Sequence, residues 1–416
     1  VRREAGLNAK AALPHRQHAF RYAPFRNLFL ARFLTVLGNS IAPVALAFAV
    51  LDMGGSAADL GLVVAARSIF NVAFLLFGGV LADRYSRSLV LFSSSAVAAL
   101  SQGVVAWLVL EGMATIPLLV LLGTVNGAAA GIALPASSAL VPQTVPSPTL
   151  RQANAFIQVG IYIGTVFGAS FGGVLTSAVG PGWGLAVDAL GFAAAAPLYR
   201  CIRISYQPVD APGNLWLDLR DGWREFTARA WVWAVVAQFA VVNAAFTGMV
   251  MVLGPVIADA SFGRTRWGMM IAAQSIGLIL GSCVALRWRP QRAMFIGVML
   301  VALCAVPVLQ LATGATALAL MGGFCLAGAG FGQFGVVWAH ALQTHIPRDR
   351  LARVYAYDAM GSFVAIPVGE LAAGPLAIRY GNSAVLLCCA AAVVIATVAT
   401  SLVPAIRQLK SNASVK

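Results

Sequence analysis

Gly78-Gly79-Val80-Leu81-Ala82-Asp83-Arg84-Tyr85-Ser86-Arg87-Ser88 interrupts a sequence that is otherwise apolar for long distances on both sides. An apolar run ends in two glycines, an Asp-Arg pair follows at once, a second Arg comes three residues later, and another apolar run begins. Between two soluble helices this would be an ordinary charged corner. Here each flank is long enough to cross a bilayer, because a spanning helix needs about 20 apolar residues. The charges therefore fall on a very short loop at a water boundary.

The rest of the chain has the same character. Hydrophobic residues make up 60% and charged residues 10% of the 416 positions, which excludes an ordinary soluble globule. Apolar runs and their breakers place spans at about 27–51, 59–82, 88–110, 115–139, 152–177, 181–200, 231–254, 267–286, 293–311, 315–340, 353–378 and 382–404. The first run is too long for a signal-peptide core and is expected to be a retained span. The net charge of +14 does not signal nucleic acid, since the bases stand in short clusters between apolar runs. Twenty-three bases fall in segments on one side of the spans and three, Arg264, Arg266 and Arg379, on the other. The positive-inside rule then puts both termini in the cytoplasm, as an even number of spans also requires. The six cysteines form no disulfide framework or Cys-x-x-Cys metal site. Arginine far outnumbers lysine, and with abundant Ala and Gly this points to a GC-rich bacterial genome and a bacterial inner (plasma) membrane.

The longest connection, 201–230, divides the spans six and six. The expected organisation is a cytoplasmic tail 1–26, a six-helix bundle 27–200, the linker 201–230, a second bundle 231–404 and a tail 405–416. In the linker, Leu215, Leu219, Trp223 and Phe226 share one helical face, and Asp218, Asp221, Arg224 and Glu225 share the other, the pattern of a helix lying on a membrane surface. The bundles are related by an internal repeat. A shift of 201 residues superposes Gly127 on Gly328, Gly131 on Gly332, Gly160 on Gly361, Gly168 on Gly369, Gly173 on Gly374 and Gly180 on Gly381. Six glycines in register are not a product of composition, so the halves are parallel repeats with helices 5 and 11 in equivalent places.

The loop between helices 2 and 3 resembles the signature of the major facilitator superfamily, Gly-x-Leu-Ala-Asp-Arg-x-Gly-Arg-Arg. Gly79, Leu81, Ala82, Asp83, Arg84 and Arg87 match it, while Ser86 and Ser88 replace a Gly and a base. Helix 5 carries Gly160, Gly164, Gly168, Gly172 and Gly173. Gly164, Gly168, Gly172 and Gly173 resemble the antiporter motif of the superfamily's drug-efflux branch, with Ala155 and Ala169 replacing its leading Gly and its Pro. Small-residue stripes also serve packing alone. The stretches around Leu134–Ala136, Val145–Ala155, Asp188–Phe192, Leu215–Phe226 and Pro347–Phe363 resemble the enterobactin-exporter and macrolide-efflux branch, over about residues 22–404. The resemblance implies an all-α membrane protein with twelve transmembrane helices in two six-helix pseudo-symmetric bundles. One departure stands in helix 4: Asn126-Gly127 occupies the place of the family's Gln-Gly pair and Gly123 that of the preceding Arg, so no role of that Arg carries over.

Ionisable groups inside a bilayer are costly and call for a functional reading. Arg67 and Glu370 lie deepest, at one depth of helices 2 and 11, and are expected to pair as the charged element of proton coupling. Asp358 and Asp188 are further candidates, although Asp358 fits a pair with Arg353, and Asp188 fits helix pairing. Asp83, with Gly79, Arg84 and Arg87, is expected to act as a conformational latch against the N-terminal end of helix 11. Gly164, Gly168 and Gly172 are expected to face Gly277 and Gly281 of helix 8. Trp338, Phe331 and Phe334 fit substrate stacking or plain packing. No lysine follows a glycine-rich loop, which excludes a P-loop ATP pump, and no nucleophile–base set points to an enzyme. The expected function is secondary active export of a small amphiphilic organic molecule by proton antiport, with multidrug resistance as its outward sign. It requires no cofactor beyond the proton gradient, no metal and no nucleic acid, and it acts as a monomer in the lipid bilayer. A uniporter or importer of a small nutrient, and a non-transporting scaffold or sensor, remain as alternatives.

Overall fold

The computed structural model describes residues 18–203, 223–224, 226–288, 290–346 and 348–409. Among these the chain is helical throughout, with no strand. Twelve long helices follow in order: α1 Ala23–Asp52, α2 Ala57–Arg84, α3 Arg87–Leu110, α4 Ile116–Thr144, α5 Leu150–Val179, α6 Pro181–Arg200, α7 Ala230–Ala260, α8 Arg264–Arg287, α9 Ala293–Ala312, α10 Ala317–His345, α11 in two pieces, and α12 Asn382–Ser401. Among the described residues, eleven spans are long and apolar enough to cross a membrane. The remaining helix, α6, is 20 residues long but is diluted by three glycines, Pro181, Pro197 and Asp188, and it packs against α1 and α3. Large apolar side chains such as Leu100, Leu318 and Ile378 face outward, as a lipid solvent allows.

Local chemistry explains the helix limits. Ser56 and Asp59 close a capping box at the start of α2, each side chain accepting the other's backbone N–H. The turns opposite the basic loops use glycines at positive φ: Gly54, Gly112, Gly180, Gly263, Gly314 and Gly381, three in each half. Only glycine takes such values without strain, so these reversals fix the positions of those residues. Helix α9 tightens into a 3-10 segment at Val301–Cys304, and two further spans are interrupted. Helix α7 passes through a π-helical turn at Met249–Leu253 just before Pro255, and α11 breaks between Arg348–Phe363 (α11a) and Ile366–Tyr380 (α11b), ahead of Pro367. Proline removes a helix hydrogen bond, which accounts for both places. The apolar run 353–378 predicts a continuous helix 11, and the break ahead of Pro367 is where the structure departs from it.

The glycine contacts establish the pseudo-twofold relation directly. Gly127 packs on the carbonyl of Arg67 and Gly328 on that of Gln274; Gly131 packs on Asn71 and Gly332 on Leu278. Gly168 meets Leu37 and Gly369 meets Ala244; Gly160 meets Phe29 and Gly361 meets Val236. In every case the glycines are 201 residues apart and their partners 207 apart. Helices 1–2 and 7–8 thus follow a second register, offset by six from that of helices 4–6 and 10–12. The same rule governs contacts between the halves: Gly173 of α5 meets Arg264 and Gly268 of α8, and Gly374 of α11b meets Ala57 and Ala58 of α2. All of these inter-half contacts lie near the end opposite the basic loops, hereafter the far end. The far end is closed. Of the linker helix, only Trp223, Arg224 and Phe226 lie within the described residues, and the rings of Trp223 and Phe226 pack with Tyr357 of α11a.

Candidate functional site

A line of polar side chains crosses the interior at one depth. Arg67 of α2 donates from Nε to Oδ1 of Asn126 on α4 at 3.0 Å, and from Nη2 to Oδ1 of Asn39 on α1 at 3.1 Å. The next residue, Ser68, donates from Oγ to Oε1 of Glu370 on α11b at 3.1 Å, across the boundary between the halves. Beside this bond, Gly61 lets the Glu370 carbonyl approach the α2 backbone. Glu370 is 1% exposed, and its Oε2 has no hydrogen-bond partner. On the other side of α1, Asp188 of α6 is 2% exposed, packs against Gly38, and leaves Oδ1 unbonded.

The fold does not require this polarity. Under the two offsets, Arg67 corresponds to Gln274, Asn39 to Phe246, Asn126 to Ala327, Asp188 to Cys389 and Glu370 to Ala169. The C-terminal half builds the same packing with one neutral amide, Gln274, and three residues without charge, and the N-terminal half does so with Ala169 in the place of Glu370. Buried polar and charged groups cost stability unless satisfied. The N-terminal half carries that cost at four positions and the C-terminal half at Glu370, a cost the packing itself does not require, which makes this line the candidate site.

A second cluster clamps the far end. Arg264, at the start of α8, donates from Nη1 to Oδ2 of Asp52 at 2.9 Å, from Nη2 to Asp52 Oδ1, and from Nε to Oδ1 of Asp259 at 2.8 Å. Its guanidinium also sits over the Phe48 ring at 4.8 Å. Nearby, the hydroxyls of Ser177 on α5 and Thr265 on α8 lie 2.7 Å apart. Asp52 and Phe48 belong to the N-terminal half, and Asp259 and Arg264 to the C-terminal half, so the bidentate pair spans the boundary.

Several expectations are corrected by this geometry. Arg67 and Glu370 share a depth but do not touch, because Ser68 rather than Arg67 faces α11b. Gly164, Gly168 and Gly172 face α1, against Val36, Leu37 and Ile41, and not Gly277 and Gly281. Those two glycines pack on Cys325 and Ala329 of α10. Helices α5 and α8 do meet, through Gly173 and Gly268. Asp358 accepts a hydrogen bond from Trp338 Nε1 at 2.9 Å, and the Arg353 side chain expected to pair with it falls outside what is described. Phe334 and Trp338 are buried and stack inside the second bundle, with Phe239 4.5 Å from Phe334, which is the packing alternative. Arg87 donates from Nη1 to the Ala139 carbonyl at 2.8 Å and ties the 85–86 turn to α4. Gly79, Asp83 and Arg84 belong to the last turns of α2, and the side-chain contact expected of Asp83 falls outside what is described.

Sequence reading missed Asn39, Ser68 and the whole Arg264 clamp, and it met Asn126 only as a departure from a motif. One signal was present: the 207-residue offset relates Asp52 to Asp259, two acids at matching helix ends.

Comparison with known proteins agrees with the architecture. The family profile of the Major Facilitator Superfamily matches residues 28–370. The enterobactin exporter EntS of Salmonella paratyphi A is 27% identical over 260 residues, 62% of this chain and 62% of the exporter. The aligned part thus spans about three fifths of the exporter's length. The multidrug efflux pump Tap of Mycolicibacterium fortuitum is 24% identical over 404 residues, 93% of this chain and 97% of the pump. The nucleoside transporter NupG superposes with a TM-score of 0.70 at 16% identity, covering 91% of this chain and 98% of its own. A bacterial homologue of the human lysosomal transporter Spinster, inward-facing and unoccupied, gives 0.68 at 17% identity, covering 93% and 95%. At these identities the two structures speak for the fold alone. The profile match over most of the sequence, the twelve helices and the repeat converge on one assignment: this chain belongs to the Major Facilitator Superfamily and is a multi-pass membrane transporter rather than an enzyme.

Proposed function

We propose that the protein exports a small amphiphilic organic molecule, a drug, siderophore or secondary metabolite, in exchange for protons, and that Glu370 carries the proton. The observation that carries the coupling is the Ser68–Glu370 bond. A carboxyl sits on the seam between the halves, sealed from water, with one oxygen bare, at a position whose counterpart is Ala169. A charge trapped there is costly. When the halves part at the far end, Ser68 leaves Glu370 and the carboxyl meets water. A proton taken up there removes the charge and permits closure, and its release on the opposite side resets the cycle. Substrate, bound while the far end is closed, drives the reverse swing. The outward direction and the substrate class are supported by the exporter and efflux-pump relatives.

The basic end is taken as cytoplasmic, in a bacterial inner membrane with both termini inside. Closure at that end we assign to Asp83, flanked by Gly79, Arg84 and Arg87, as a latch engaging the N-terminal end of α11a when that side closes, since a helix N-terminus favours a negative charge. Everted membrane vesicles test the function as a whole. Candidate amphiphiles are expected to accumulate when a proton gradient is imposed and to leave when a protonophore collapses it. Uptake that only equilibrates the substrate and is indifferent to the protonophore would indicate a uniporter, and no flux of any candidate would indicate a scaffold. A resistance and accumulation screen in a deletion strain supplies the candidates.

A further inference from the structure

Arg67 stands between two buried carboxyls and touches neither. On one side, Ser68 presents Glu370. On the other, α1 is only as thick as Gly38 and Asn39: Asn39 holds Nη2 of Arg67, while Gly38 lies against Asp188 so closely that a Cβ there would come 2.9 Å from the Asp188 Cα. Both carboxyls lie within electrostatic reach of the guanidinium. Each carboxyl keeps one oxygen without a hydrogen-bond partner.

The remaining charges are elsewhere. Of the helices packed on α6, α1 holds Arg26 and Arg32 towards the basic end, where Arg32 faces Tyr199, and Asp52 at its far end, where it is bound by Arg264. Helix α3 has only Arg87 at its start, with Glu111 just past its end, and α5 has only Arg151 in its first turn. Around Glu370, α2 adds Asp59, which caps its own helix, and Asp83 and Arg84 at its opposite end. Helix α7 adds Asp259, which is bound to Arg264, and α12 adds no charge. Arg67, Asp188 and Glu370 are therefore a three-member set. With both acids ionised it carries a net negative charge in a dry interior, and with both protonated a net positive one. Only one ionised acid leaves it neutral, and an uncompensated buried charge is the costlier state.

We infer that Asp188 and Glu370 hold a single negative charge between them against Arg67, so that ionisation of one keeps the other protonated. This rests on the reading of Glu370 as proton carrier and adds Asp188 as its linked partner, acting through Arg67. The two acids then titrate as a pair. When the halves part and Glu370 is drawn from the seam, the charge passes to whichever acid remains beside Arg67. Proton exchange at the seam is thereby felt on α6, on the outer side of the N-terminal bundle.

Infrared spectroscopy of the purified full chain in lipid vesicles at neutral pH tests this without a substrate. The readout is the C=O stretch of buried protonated carboxyls, taken as differences between variants and wild type so that Asp358 and the acids at helix ends cancel. Asp188→Asn and Glu370→Gln are each expected to lose the whole band, since the surviving acid must ionise to balance Arg67. Arg67→Gln is expected to double it, and Asp188→Glu to keep it. If Glu370→Gln loses the band while Asp188→Asn retains it, the linkage is overturned and the role of Glu370 stands. If Glu370→Gln leaves the band intact, both readings fall. Should Asp188→Asn not fold, Arg67→Gln decides alone: an unchanged or weaker band contradicts the shared charge.

Discussion

Asp52 and Asp259, which end the first helix of each half, are both bound by one guanidinium, that of Arg264. Asp259 only positions the arginine within its own half, whereas Asp52 draws it across the boundary. The pair is partly exposed, with side chains 21% and 41% accessible, so solvent screening limits it to roughly 1 kcal/mol. That is about a fivefold bias towards the closed far end. Arg264→Gln is expected to raise reaction of a far-end cysteine with a membrane-impermeant thiol reagent several-fold, whereas Asp259→Asn has a smaller effect. Equal accessibility in Arg264→Gln and wild type would remove the clamp from the mechanism.

The Ser177 and Thr265 hydroxyls lie 2.7 Å apart on α5 and α8. Cysteines at both positions are expected to form a disulfide under mild oxidation, stop transport, and release it on reduction. Transport that continues while the crosslink is complete would show that α5 and α8 do not separate in the cycle.

Glycines of one helix are expected to differ in kind. A side chain at Gly168 runs into the Leu37 carbonyl within the N-terminal bundle, so Gly168→Leu should cost about 1–3 kcal/mol of overpacking and lower the yield of folded protein. A Cβ at Gly173 instead meets Gly268 of the other half at 3.0 Å. Gly173→Ala should leave the melting temperature of the solubilised protein nearly unchanged and hold the far end ajar, read by the same thiol labelling. Identical behaviour of the two variants would contradict this division.

Asp83→Asn is expected to lower transport while the protein remains inserted, because a latch of about 1 kcal/mol at the basic end is lost. Flux equal to wild type would leave Asp83 as a surface charge without a gating role.

The architecture was legible because its signals are local or periodic: twelve apolar runs, clustered bases and six glycines in register. The site was legible only in part. Depth follows from counting residues along a helix, so Arg67 and Glu370 could be placed at one height. Azimuth does not, and one residue turns the side chain by about 100°, which is why Ser68 and not Arg67 reaches Glu370. The same limit misplaced the stripe of helix 5. Gly164, Gly168 and Gly172 stay on the α1 side, while Gly173, one step further round, turns to α8. The Arg264 clamp was hidden because the repeat changes register by six residues between its parts. A single 201-residue shift never brings Asp52 opposite Asp259.

Everted vesicles carrying Glu370→Gln test the central claim most directly. With the amide in place of the carboxyl, Ser68 keeps a partner and the seam can close, but no proton can be carried. Gradient-driven accumulation is expected to fall to the level of protonophore-treated wild type and to lose its dependence on pH, while exchange of labelled for unlabelled substrate without a gradient continues. Accumulation by Glu370→Gln that still follows the proton gradient as wild type does would contradict the assignment of Glu370 as the proton carrier.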